Sequence, residues 1–244
     1  MRNHFIMTTV VTVFFLVCFL SCEKDPTSSN DEETSTVTDI DGNVYATVKI
    51  GDQWWMAENL KVTHYNNGDP IPTGYSDSQW AGLSTGAYGV YNNDPANAET
   101  YGNLYNWYAV DDDRGICPEG FHVPSDEEWM ELEMFLGMSW EDAHDIGFRG
   151  TDQGSQLAGN AGLWYNGALE NDPAFGSSGF SALPGGYRSH GGAFLHKGIN
   201  AYFWSSTEDY IDTAWLRHLT YYSSDVGRPY YNKRNGFSVR CVRD

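Results

Sequence analysis

Positive charge is scarce: Lys and Arg total 14 against 33 Asp and Glu, giving a formal charge of −19 over 244 residues. A nucleic-acid binder neutralises phosphates with Lys and Arg, and docking on anionic headgroups needs basic clusters. Both classes are excluded. Cysteine is also sparse, at four residues, and none stands in C-x-x-C spacing, so a thioredoxin-like or zinc-ribbon centre has no ligands. The H-E-x-x-H pattern of metallopeptidase helices is absent as well. Long apolar runs are missing except at the start, where Phe5 to Leu20 is uninterrupted. Sixteen helical residues rise about 24 Å, short of the roughly 30 Å hydrocarbon core. What is abundant is glycine (26) and aromatic side chains (9 Trp, 16 Tyr, 12 Phe), a mixture that favours a loop-rich domain over a helical bundle.

The apolar run follows Arg2 and ends in Phe19-Leu20-Ser21-Cys22. A cation, a short apolar centre and a small residue before a cleavage point form a secretory signal. The tetrapeptide resembles a bacterial lipobox, with Phe19 where Leu is usual, and the resemblance implies acylation of Cys22. Lys24-Asp25 just beyond it resembles the export tag of surface-exposed Bacteroidetes lipoproteins. An ordinary cleaved signal with an incidental cysteine is the alternative. Residues 1–21 are therefore expected to be a lipoprotein signal peptide. Residues 22–38, rich in Ser, Thr, Asp and Glu with almost nothing to bury, are expected to be a disordered acidic tether. Residues 39–244 are expected to be the domain, and the acidic excess continues throughout it.

Cys18 leaves with the signal and Cys22 is assigned to the anchor, so Cys117 and Cys241 remain. In an exported protein a single bridge between them is expected; a redox or copper-binding pair is the competing reading. Alternation in Val44–Ile50 places Val44, Ala46, Val48 and Ile50 on one face, and Gly51-Asp52 turns the chain into Gln53–Ala57. Ser125 with Glu128 three residues on is a capping box, and Trp129, Leu132 and Leu136 form a helical stripe behind it. Ser139 starts a second, weaker helix. Strands are expected at Phe203–Thr207, Ala214–Tyr221 and Phe237–Val242. Asp39-Ile40-Asp41-Gly42-Asn43 looks like part of a calcium loop but lacks the later carboxylate, so a plain turn is the reading; Asp111-Asp112-Asp113 is likewise read as a solvated turn. No metal site and no cofactor are expected.

Six segments, GNVYATVKIGDQWWMAENLKV, YGNLYNWYAV, CPEGFHVPSDEEW, GFSALPGGYR, FWSSTE and GFSVRCVRD, stand in the order found in the Fibrobacter succinogenes major paralogous domain. This family resembles the C-type-lectin-like superfamily, which includes formylglycine-generating enzymes. The resemblance implies an α+β, C-type-lectin-like domain with one main helix, short antiparallel strands and long Gly-rich loops. It places Trp54, Trp55, Trp129, Trp204 and Phe237 in the core, and Cys117 and Cys241 where the family has its bridge.

Three function classes follow. An oxidase of the formylglycine-generating type needs two reactive cysteines, and a bridge between Cys117 and Cys241 would spend them. A sugar-binding module needs exposed aromatic faces flanked by polar groups. Trp164, Tyr165 and Asn166, in a loop flanked by glycines, are the candidates, with Tyr221-Tyr222 and Tyr230-Tyr231-Asn232 as further ones. Trp164 plugging its own loop is the competing account. A structural or adhesive protein would use the same aromatics on a protein partner. The expectation is a non-catalytic recognition protein on the outer membrane or cell surface, held by a lipid on Cys22, with a polysaccharide or surface glycoprotein as partner.

Overall fold

A computed structural model describes Met1 and residues 35–244. The chain divides into two units, Met1–Asp31 and Glu32–Asp244, and every element described belongs to the second. The expected signal, Cys22 and residues 22–34 of the tether lie outside the described residues. Residues 35–38, assigned to the tether, instead form the strand Ser35–Thr38, paired antiparallel with Val44–Ile50. Their Ser-Thr-Val-Thr sequence is largely β-branched and suits a pleated edge.

The α+β, C-type-lectin-like architecture built on one main helix is corrected. The described residues are mostly β, in two five-stranded antiparallel assemblies and two small two-stranded ones. Seven short α-helices accompany them. The longest, Asp126–Phe135, has 10 residues. It begins as expected: Ser125 Oγ accepts from Glu128 N (3.2 Å) while Glu128 Oε2 accepts from Ser125 N (2.8 Å), and three acids in the first turn complement the dipole. It stops because Leu136 closes the last turn and Gly137 follows at φ +101°. Ser139 caps Trp140–His144, its Oγ accepting from Asp142 N at 3.0 Å. With stops this closely spaced, no helix can dominate the domain.

The first sheet has the order Ser35–Thr38, Val44–Ile50, Gln53–Met56, Val242–Arg243, Phe121–His122. The hairpin turns at Gly51, φ +64°, and the expected face is buried only toward the turn, where Ile50 is in the core and Val48 packs against it. Tyr45 and Thr47 are buried while Val44 is exposed, because Tyr45 Oη donates to Asp39 Oδ2 and accepts from Lys61 N. Trp54 is only half-buried, whereas Trp55, Trp129, Trp204 and Phe237 are core residues. Of the strand expected over Phe237–Val242, regular pairing begins only at Val242; Phe237 and Ser238 make isolated bridges to Tyr105 and Phe203. Cys117 and Cys241 are bonded, S–S 2.04 Å, and fasten the two neighbouring segments that lead into Phe121–His122 and Val242–Arg243.

The second sheet runs Asn200–Tyr210, Thr213–Thr220, Ser223–Arg228, Gly147–Arg149, with Tyr230–Asn232 also paired to Thr213–Thr220. It separates two cores. Tyr202, Trp204, Ala214 and Leu216 point into one, around Phe237 and the disulfide. Ala201, Phe203 and Leu219 point into the other, around Trp55, Trp129 and Phe180. Between the sheet and the ten-residue helix lies a buried ion network. Arg217 Nε donates to Glu133 Oε1 (2.6 Å) and its Nη1 to Asp126 Oδ1 (2.6 Å). Arg228 also grips Asp126 and Arg149 grips Glu133. Burial pushes Arg149 down to about 10, against the pull of Glu133.

Candidate ligand-binding face

Register assembles the site. Tyr202 lies opposite His218, His218 opposite Gly227, and Gly227 opposite Phe148, so one transverse row shares one face of the second sheet. Gly227 is needed there: a Cβ on it would come within 3.1 Å of His218 Cβ and 3.4 Å of Nδ1, so the imidazole leans over a position without a side chain. The rings line up. Tyr202 and His218 stack at 4.4 Å and 10°. Phe148 meets His218 at 5.1 Å and Tyr222 at 6.4 Å. Tyr231 and Tyr187 flank Tyr202 at 6.4 and 5.0 Å. Further along the same face, the core that covers Trp204 and Leu216 runs out, and Tyr222 (59 % exposed), Phe148 (42 %) and Tyr231 (41 %) reach solvent.

A polar floor lies beside these rings. Asn200 is opposite Thr220, one step along the face from the Tyr202–His218 pair. Its Nδ2 donates to Tyr202 Oη (2.8 Å) and to His196 Nδ1 (3.1 Å). His196 is exposed and holds φ +66°, a left-handed conformation that non-glycine residues rarely adopt. His218 is buried; desolvation, then the neighbouring His196, push its pKa down to about 4, so the ring is neutral near pH 7 and offers one donor and one acceptor nitrogen. Its Nε2, with Asn200 Oδ1 and Thr220 Oγ1, is buried without a hydrogen-bond partner.

The residues singled out in the sequence divide on burial. Trp164 is 5 % exposed, packs in the second core and donates Nε1–H to Gly159 O at 3.0 Å; it plugs its own loop and is corrected from contact residue to core residue. Tyr165 is exposed, its ring 6.0 Å from Tyr221, which meets Tyr222 at 5.5 Å. It thus extends the run of rings from one end. Asn166 is exposed and its Nδ2 donates to Glu170 Oε1 (2.6 Å). Tyr222 and Tyr231 belong to the face. Phe148, Asn200, Tyr202, His218 and Thr220 were not identified from sequence, because a cross-strand register that sets Phe148 opposite Gly227 leaves no local signal.

Other candidate chemistry is structural. Asp39 Oδ1 accepts from Asp41 N and Asn43 N, and Oδ2 from Asn43 Nδ2 and Tyr45 Oη, so this carboxylate closes a turn. Asp112 pairs with Arg114 at 2.8 Å. No group of three His, Cys, Asp or Glu side chains is placed to hold a metal among the described residues. Gly82-Leu83-Ser84-Thr85-Gly86 has nucleophile-elbow spacing, although the sequence was read as holding no such elbow. It follows the helix Asp77–Ala81 where an elbow joins strand to helix. A separate cleft of about 500 Å³ is lined by Asp41, Lys61, Tyr88, Glu99 and Asn103 among others. Several of its polar groups are committed to the protein: Asp41 accepts from Thr63 N and Oγ1 and pairs with His64, and Asn103 Nδ2 donates to Lys61 O.

Residues 48–243 match the family model described as Fibrobacter succinogenes major domain. No curated protein and no solved structure matches the chain.

Proposed function

The chain belongs to the Fibrobacter succinogenes major domain family, and from that premise we propose that it is an exported, lipid-anchored surface protein whose role is non-catalytic recognition of carbohydrate, on a polysaccharide or a surface glycoprotein. The observation that carries this reading is the run of rings from Tyr165 through Tyr221, Tyr222 and Phe148 to His218 and Tyr202, partly exposed and flanked by uncharged polar groups. The apolar faces of pyranose rings stack on such aromatics, and the equatorial hydroxyls suit amide, hydroxyl and imidazole partners. The bond between Cys117 and Cys241 supports the non-catalytic role, since neither sulfur is then a thiolate for oxidase chemistry. Acylation at Cys22 would hold the domain at the outer membrane or cell surface.

Adhesion to a protein partner is the second reading, favoured by exposed Tyr210 and Ile211 at the tip of the hairpin between Asn200–Tyr210 and Thr213–Thr220. A glycan array run beside a pull-down from secreted proteins separates the two. Carbohydrate recognition predicts glycan signals that fall at least tenfold in Tyr222→Ala. Capture of a protein with no glycan signal, abolished by Ile211→Asp, would replace it with adhesion.

A further inference from the structure

Among the described residues six buried side-chain polar atoms lack a hydrogen-bond partner, and three of them, Asn200 Oδ1, His218 Nε2 and Thr220 Oγ1, lie in two successive cross-strand pairs of one sheet face. Native interiors leave few such groups without a partner, and each that stays unpartnered costs stability. Their concentration beneath the partly exposed rings of Phe148 and Tyr222 asks for a partner that arrives from outside. The opposite face holds two of the other unpaired atoms, Arg149 Nε and Trp129 Nε1, beside an ion network that is otherwise paired. There Arg217 is bonded through all three guanidinium nitrogens.

Resting on the carbohydrate reading above, we propose that Asn200, His218 and Thr220 form the specificity floor of a neutral-saccharide subsite, in which hydroxyls of a sugar ring stacked on the aromatic run complete these three unpaired atoms. The chemistry selects the ligand class. An amide oxygen accepts, a threonine hydroxyl donates and accepts, and a neutral imidazole does either according to its tautomer. A sugar hydroxyl does both, so it satisfies any of them. None of the three residues is in a salt bridge, so the floor has no charged group to hold an anion, and the chain's formal charge of −19 repels polyanions. Asn200, His218 and Thr220 are buried, so the ligand would enter by displacing Phe148 and Tyr222, exposed rings of the kind that change rotamer in picoseconds to nanoseconds. A site whose buried polar groups are unpaired without ligand discriminates strongly against analogues lacking the matching hydroxyl.

The test is calorimetric titration of the whole chain with gluco-, xylo- and manno-hexaoses and with polygalacturonate, alongside thermal unfolding. Thr220→Val replaces an unpaired hydroxyl by a methyl of the same shape. It is expected to weaken binding of the best hexaose at least tenfold while leaving the unfolding midpoint equal to wild type or higher. His218→Phe is expected to act in the same direction and serves if the first variant fails to fold. Unchanged affinity in both variants overturns the floor while leaving carbohydrate recognition standing. A midpoint several degrees lower in Thr220→Val also overturns it, since the hydroxyl would then be serving the fold. Tighter binding of polygalacturonate than of every hexaose overturns the neutral class. Wild-type protein that binds none of the hexaoses or the polyuronate overturns the carbohydrate reading itself and the floor with it.

Discussion

Arg217 and His218 are neighbours on one strand and face opposite ways. The guanidinium of Arg217, fully buried, is closed around Glu133 and Asp126 on the ten-residue helix. The imidazole of His218, nearly as buried, stacks on Tyr202 and meets Phe148 at a tilt, with no protein partner for Nε2. Both positions cost desolvation. For Arg217 the cost is offset within the protein, though Arg149 Nε and Trp129 Nε1 on that side have no protein partner; on the aromatic side three such atoms fall in two adjacent strand pairs. Polar groups whose bonds are complete hold elements together, and polar groups left incomplete in a cluster mark where something else is meant to bind.

The largest expected effect lies on the helix side. Glu133→Gln removes the charge that Arg149 and Arg217 share, and breaking a buried pair of this kind costs about 3–5 kcal/mol. Urea denaturation measures it, and a loss below about 1 kcal/mol would mean that the network is not the tie between helix and sheet. Next comes pH. His218 is neutral in the folded state, down at about 4 from its ordinary 6.5, so the unfolded chain binds the extra proton. Stability must therefore fall as pH drops from about 6.5 to about 4, by up to about 3 kcal/mol, and level off below. Asp126 behaves differently: burial raises its pKa, but Arg228 and Arg217 outweigh burial and hold it below the usual 3.8. Its contribution is present above pH 3.8 and is lost only as pH falls further, through the folded value. Urea midpoints at pH 7, 5 and 3 should thus separate the faces, with the first drop flattened in His218→Gln; an equal first drop in that variant would remove His218 as its source. The smallest effect on stability is expected for Phe148→Ala, about 0.5–1 kcal/mol for a ring that is 42 % exposed, together with a clear loss of glycan binding. A loss above about 3 kcal/mol would assign that ring to the core.

Local chemistry was legible where it acts over a few residues. The capping box at Ser125 and Glu128, the cap at Ser139 and the turn at Gly51 all stand where residue types and spacing put them. The expected buried face of Val44–Ile50 holds at Val48 and Ile50 but not at Val44 and Ala46, because Tyr45 carries a hydroxyl that Asp39 and Lys61 satisfy, an arrangement that hydrophobic alternation cannot register. Trp164 and Tyr165 are adjacent in a glycine-flanked loop, yet one is a plug and the other is exposed; composition treats them alike. The floor of the candidate site was invisible for a stronger reason. Asn200, Thr220, His218, Gly227 and Phe148 become neighbours only through antiparallel register, and their missing hydrogen bonds are a property of the assembled sheet.

The position of the final strand has a consequence for biosynthesis. Val242–Arg243 is inserted between Gln53–Met56 and Phe121–His122, so the sheet that opens at Ser35 is continuous only once a segment far along the chain from its other strands is available. A ribosome or a translocation channel delivers the amino end first, and during that passage two edges of this sheet remain unpaired. Pairing across the middle of this sheet therefore waits on delivery of Val242–Arg243, long after its first strands have emerged.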